Sequence, residues 1–290
     1  MKTRKKTIGA ALIAASALML AACDANQPNE TASQSEQAST PSTPPVVEQA
    51  VSKTKPAFAV FTASTGMIHV LLKPKSGPAD MVYQNACPAG SQPFGITDIN
   101  FGGKLFCNDV VNRRVHVMDL STHAELFSWN WPSDIQGTPA WFIGRWQLNS
   151  DAGLAAYDSA KGIFHIFNSA DKGFSLSHSF EYGGTGDSIL PLVGDWDGDG
   201  VDSAGVYRSA TKQAFLKNAL EAGMADISFG LDQSTFEADA APVTINLDTR
   251  SVIAMYSSDK GLVVFATSDA GSMPFLFGAP AETKVVVPVR

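Results

Sequence analysis

Beyond residue 57 the chain is built of short apolar runs, alternating or rich in β-branched and aromatic residues, cut at close intervals by Gly, Asp, Asn and Ser. Period-two alternation bounded by turn residues predicts strands. Only residues 219–225 read ambiguously, as a turn or two of helix. The strands recur in a pattern. Gly144-Arg145-Trp146-Gln147-Leu148-Asn149, running on to Ala156-Tyr157, aligns without a gap on Gly194-Asp195-Trp196-Asp197-Gly198-Asp199, running on to Val206-Tyr207, at an offset of 50. A third copy runs from Ile245 to Tyr256, and fainter ones lie from Thr97 to Cys107 and from Phe58 to Phe61. A second apolar strand follows each copy. Taking His69, His116, His165, Phe215 and Val264 as its markers, the steps are 47, 49, 50 and 49.

Four strands in about 49 residues is the size of a β-propeller blade, a unit that cannot shield its faces until neighbours stack on it. The fourth unit shows the strands best: Pro191 to Gly194, Ala204 to Tyr207, Gln213 to Lys217 and Ile227 to Gly230. The first unit opens at Phe58 on what corresponds to a second strand, and Val285-Val286-Val287-Pro288-Val289 reads as the strand it lacks. The expected fold is all-β: a β-propeller of five four-stranded blades, its ring closed by the C-terminal strand, which removes an exposed edge. A β-sandwich, or a partial solenoid with some duplicated strands, is the alternative.

The N-terminus reads as an address. Residues 1–22 combine a basic start (Lys2, Arg4, Lys5, Lys6), an apolar run from Ile8 to Ala22 and small residues at its end, the three parts of a secretory signal. At about 15 residues the run is shorter than the roughly 20 that cross a bilayer. Leu20-Ala21-Ala22-Cys23 resembles the lipobox of bacterial lipoproteins. The resemblance implies a diacylglycerol thioether on Cys23, cleavage before it and acylation of the new N-terminus, so that several acyl chains hold the protein on a membrane. An ordinary cleaved signal with an incidental cysteine is the alternative. Asp24 resembles the enteric-type signal for retention on the periplasmic face of the inner membrane, with the outer membrane as the other address. Residues 23–56 contain no aromatic residue and are dominated by Ser, Thr, Gln, Asn, Glu, Ala and Pro. Such a composition reads as a tether, which leaves 57–290 as the folded body.

Charge narrows the partners. The formal net charge is −7, from 21 basic and 28 acidic groups. Removing residues 1–22, with four basic groups and no acid, leaves 17 against 28, or about −11. That balance argues against nucleic acid and against adhesion to anionic lipid by charge alone. Once Cys23 carries lipid, the body keeps Cys87 and Cys107. A disulfide between them suits an oxidising envelope, with two free buried thiols as the alternative.

In Asp195-Trp196-Asp197-Gly198-Asp199-Gly200-Val201-Asp202-Ser203, three carboxylates stand at alternate positions before a glycine turn. That spacing aims oxygens at one point, as Ca²⁺ requires. Asp195, Asp197 and Asp199 are expected to supply carboxylates, Val201 its carbonyl, and Asp202 or Ser203 a last oxygen. With Gly194-Asp195-Trp196 before it and Ala204-Gly205-Val206-Tyr207-Arg208 after it, the segment resembles the calcium loop of FG-GAP/VCBS repeats, the integrin-α-type propeller family. Phe229-Gly230 and Phe277-Gly278-Ala279-Pro280 echo that family's name motif. At the preceding unit the acids are replaced by Arg145, Gln147 and Asn149, so one structural site is the most expected. An Asp-Gly turn without metal is the alternative.

Catalytic motifs are scarce. No Gly-x-Ser-x-Gly, His-Glu-x-x-His or phosphate-binding glycine loop occurs. Three of the five histidines (His69, His116, His165; the others are His123 and His178) occupy one repeat position on different blades, which suits packing between blades better than a shared metal. Five-bladed rings also host glycosidases with carboxylates round the axis, for which Asp98, Asp195 and Asp248 share a phase. Trp129, Trp131, Trp141 and Trp146 are either stacked in blade cores or exposed as an aromatic platform for a protein or glycan. The sequence therefore reads as a lipid-anchored envelope protein of a diderm bacterium, its propeller binding a protein or glycan without chemistry. A glycan-active propeller enzyme, hydrolase or lyase, is the alternative.

Overall fold

The chain divides into two units, residues 1–50 and 51–290. The computed structural model describes residues 58–290 except 98, 100–102, 187, 232–235, 237–239, 248, 267–274, 278–283 and 288. Cys23, the signal, the tether, Asp98 and Asp248 lie outside the described residues. The body is a five-bladed β-propeller, each blade a four-stranded antiparallel sheet. Blade 1 holds β1 (Phe58–Thr62), β2 (Met67–Leu71) and β3 (Met81–Gln84). Blade 2 holds β4 (Gln92–Thr97), β5 (Lys104–Asp109), β6 (Arg114–Asp119) and β7 (Glu125–Asn130). In blade 3 come β8 (Ala140–Gly144), β9 (Gly153–Asp158), β10 (Ile163–Ala170) and β11 (Gly173–Glu181). Blade 4 has β12 (Ile189–Gly194), β13 (Ser203–Arg208), β14 (Gln213–Leu216) and β15 (Ile227–Gly230), and blade 5 has β16 (Ala241–Asn246), β17 (Ser251–Ser257), β18 (Leu262–Phe265) and β19 (Phe275–Leu276). The last strand, β20 (Lys284–Val287), is the innermost strand of blade 1, paired antiparallel with β1 from Ala59↔Val287 to Thr62↔Lys284. The C-terminal strand thus closes the ring. Residues 219–224 form a run of bends, not a helix.

The sheets are apolar on both sides because both sides are covered. Five hydrophobic clusters fill the five gaps between blades. Alternate side chains of one strand enter different gaps: on β1, Phe58 and Val60 face blade 5, whereas Ala59 and Phe61 face blade 2. Strand pleating puts successive side chains on opposite faces, so a strand with neighbours on both sides needs an unbroken apolar run. A register shift between Ile166 and Phe167 in the β10–β11 pairing lets Phe174 pack toward blade 2 and Phe180 toward blade 4 from one strand.

The turn between a blade's second and third strands repeats faithfully. In every blade its last residue is left-handed: Gly66 (φ 68), Arg113 (φ 52), Gly162 (φ 69), Lys212 (φ 60) and Gly261 (φ 63). These positions follow the 47, 49, 50 and 49 steps of the sequence repeat. Glycine adopts this conformation without the Cβ penalty. At Gly66 a Cβ would meet nothing within 4 Å, whereas at Gly162 it would lie 2.5 Å from the Gly184 carbonyl oxygen, the acceptor of the Tyr157 hydroxyl at 2.6 Å. Gly66→Ala should therefore cost only the backbone conformation, about 1 kcal/mol. Gly162→Ala adds a clash with backbone and is expected to lower the melting temperature at least twice as far. Equal melts for the two variants would show that the clash relaxes freely.

Candidate functional site

The loop between β12 and β13 carries the acidic spacing. It brings Asp195, Asp197 and Asp199 together: one ligating oxygen from each lies within 4.8 Å of the others, with Asp195 buried and the other two exposed. Asp195 is held by accepting the Gly198 N–H at 2.7 Å and the Gly200 N–H at 3.0 Å through its two oxygens. Asp199 accepts the Val201 N–H at 2.8 Å. Gly198 and Gly200 are both left-handed (φ 84 and 89), and a Cβ at Gly198 would stand 2.8 Å from the Thr249 carbonyl oxygen, so the turn requires glycine there. Two oxygens bound to one Ca²⁺ at 2.3–2.6 Å lie at most about 5 Å apart. The three carboxylates fit that limit.

The last oxygen expected from Asp202 or Ser203 is directed elsewhere. Ser203 donates its hydroxyl to the Gly194 carbonyl at 3.2 Å, across its own hairpin. Asp202 crosses to the neighbouring blade: Oδ2 accepts the Arg145 N–H at 2.8 Å, and the Asp202 N–H donates to the Arg145 carbonyl at 2.7 Å. One blade on, Asp195 and Ser251 repeat this exchange, the Asp195 N–H donating to the Ser251 hydroxyl at 3.0 Å and the Ser251 N–H to the Asp195 carbonyl at 2.6 Å. The sequence alignment makes Arg145 equivalent to Asp195. It does not reveal that the residue facing each of them comes from the next blade.

These exchanges lead to Arg290 at the same end of the ring. Its guanidinium donates to the Val193 carbonyl and to Asn246 Oδ1, each at 2.9 Å, and its Nε pairs with Asp202 Oδ1 at 3.1 Å. Its backbone N–H donates to the Ile96 carbonyl at 2.9 Å. Asn246 in turn donates to the Val289 carbonyl at 2.6 Å and accepts from the Ser251 hydroxyl at 3.0 Å. Both charged side chains are almost wholly buried, 6% and 4% exposed. Nothing in the local sequence around these residues signals the network, since its members lie as far apart as Ile96 and Arg290.

The aromatic platform is corrected by the structure. Trp131, Trp141 and Trp146 are each 5% exposed, and Trp129 is half-buried. Trp129, Trp131 and Trp141 pack edge-on or tilted in the gap between blades 2 and 3, and Trp146 fills the next gap. The Gly-x-Trp repeat has a steric basis: a Cβ at Gly144 would lie 2.4 Å from the Trp146 ring, and one at Gly194 would lie 2.8 Å from the Trp196 ring. His116 and His165 are buried. His116 meets Glu125 at 3.0 Å, and burial lowers the pKa of His165. His69 is less buried and lines an apolar groove of about 820 Å³ between blades 1 and 5. Among the described residues four carboxylates have lowered pKa values: Asp80 through the Lys75 ammonium, Asp109 through the Asn112 side chain, Asp226 through the Asn218 N–H, and Asp119 to about 2 through the Ser121 hydroxyl.

No protein-family model matches the chain, and no curated protein matches it. Among solved structures it is similar to a protein of unknown function from Bacteroides caccae (12% identity, TM-score 0.42, covering 78% of this chain and 73% of that one). It is also similar to glutaminyl cyclase from Myxococcus xanthus (8% identity, TM-score 0.38, covering 60% and 65%). Regucalcin from Agrobacterium tumefaciens, described as a calcium-binding protein, is a third (11% identity, TM-score 0.34, covering 66% and 76%). No activity or ligand is carried over from them.

Cys87, just past β3, and Cys107, on β5, are bonded sulfur to sulfur with Cα atoms 5.6 Å apart. The bond crosses from blade 1 to blade 2. By loop-closure entropy a cross-link over 20 residues contributes about 3 kcal/mol. Cys87→Ser with Cys107→Ser should therefore lower the melting temperature by several degrees, and a reductant should do the same to the wild type but leave the variant unmoved. A wild-type melt indifferent to reductant would overturn that contribution.

Proposed function

We propose that this is a lipoprotein of the bacterial cell envelope whose propeller binds a macromolecular partner, protein or glycan, without catalysing a reaction, and whose Asp195 loop holds one structural Ca²⁺. The observation that supports the non-catalytic reading is the buried Asp202–Arg290 pair at one end of the ring. There Asp202 is paired with Arg290 rather than open to substrate. The lipid anchor is supported by Leu20-Ala21-Ala22-Cys23 and the tether composition after it. The FG-GAP/VCBS resemblance rests on the loop's own residues.

Because Asp202 and Ser203 are engaged elsewhere, Asp195, Asp197 and Asp199 are the carboxylates left for an ion, with the Val201 carbonyl and water completing the shell. Such an ion would brace the loop, since a ligand that binds only the folded state stabilises it. At calcium a hundredfold above its Kd that gain is about 2.7 kcal/mol. The wild-type melting temperature should rise with calcium and fall with chelator, while Asp197→Ala with Asp199→Ala should melt identically in both. A wild-type melt that ignores chelator removes the ion from the reading.

Cys23→Ser should release the protein from the membrane fraction into the soluble one. If the variant still sediments with membranes, the anchor is wrong. The partner is best sought by crosslinking the anchored protein in intact cells, comparing a protein capture with a glycan capture.

A further inference from the structure

We propose that Arg290 is the bolt of a releasable closure: β20, Val289 and Arg290 form a strap that undocks from the ring as a unit, and the Arg290–Asp202 pair holds it shut. Strands in blades 2 to 5 pair with neighbours close in sequence, so each of these blades can form locally. The β1–β20 pairing instead joins residues 59–62 to 284–287. A pairing so distant along the chain carries the largest loop-closure entropy in the ring, and an element held by few contacts opens at lower free energy than the core.

What holds the strap is concentrated at its end. Four register pairs join β20 to β1. Beyond them, Val289 bridges to Ile96 of blade 2, and Arg290 reaches blade 2 through Ile96, blade 4 through Val193 and Asp202, and blade 5 through Asn246. Asp202 also binds the Arg145 backbone of blade 3. The Arg290 side chain therefore meets blades 4 and 5 directly and blade 3 through Asp202, while its backbone N–H meets blade 2. The desolvated pair is asymmetric in its effect, because removing either partner leaves the other buried and uncompensated. Its contacts converge where the end of the strap meets the ring, so that losing them should be felt first in the strap. This inference rests on the fold and is independent of the cation reading.

The test is native-state hydrogen exchange on the full chain, with chelator present throughout so that the fate of the cation proposal cannot affect the result. Arg290→Met and Asp202→Asn should each accelerate exchange at least tenfold at the β20 amides that donate to β1 and at the residue-290 amide, which donates to Ile96, while Leu154 and Phe164 in blade 3 stay within twofold of wild type. Arg290→Lys, which keeps the charge but cannot span the three acceptors, should fall between, and it carries the test if Arg290→Met does not fold. Equal acceleration in blade 3 would mean that the pair merely adds to global stability. No acceleration in β20 would mean that it holds nothing. Either result overturns the proposal.

Discussion

The structure depends on one constraint: its sheets are apolar on both faces. β1, β9 and β17 are buried along their whole length, where an antiparallel sheet in a two-layer fold would show a polar face to water. No single blade can satisfy this, and neither can an open row of blades, whose two outer faces would remain wet. A closed ring leaves no such face. The five clusters between blades, and the strand borrowed from the far end of the chain to complete blade 1, are consequences of that requirement.

Much of the architecture was legible because the same physical demands recur. A left-handed turn residue is needed once per blade, and Gly66, Arg113, Gly162, Lys212 and Gly261 mark it at the spacing of the repeat. A tryptophan folded over a glycine two residues earlier gives the Gly-x-Trp signature of blades 3 and 4. Other features were not legible because period-two alternation says that a side chain faces out of its sheet but not what it meets. Trp129 and Trp141 could equally have met solvent or each other. The sequence also made Asp202 and Ser203 look like ligands of the loop they adjoin. Asp202 belongs instead to a contact with Arg145 and Arg290, far from it along the chain.

The acidic loop consequently divides its labour by position. Asp195 and Asp202, at its two ends, are fixed by backbone exchanges with blades 5 and 3. The residues between them, Asp197 and Asp199, are left at the surface. A loop clamped at both ends presents its middle with little freedom. At the equivalent place in blade 3, Arg145, Gln147 and Asn149 carry no such cluster, and the same scaffold serves packing alone.

The covalent bond between Cys87 and Cys107 has a bearing on how the molecule comes into being. Both sulfurs belong to the part of the polypeptide that is made first, well before the blades that will complete the circle exist. An oxidant can therefore rivet the opening pair of blades before the later ones have folded. The nascent molecule then carries a fixed seed for later blades to stack on, and its earliest strand is already held beside a neighbour during the long wait for its final partner.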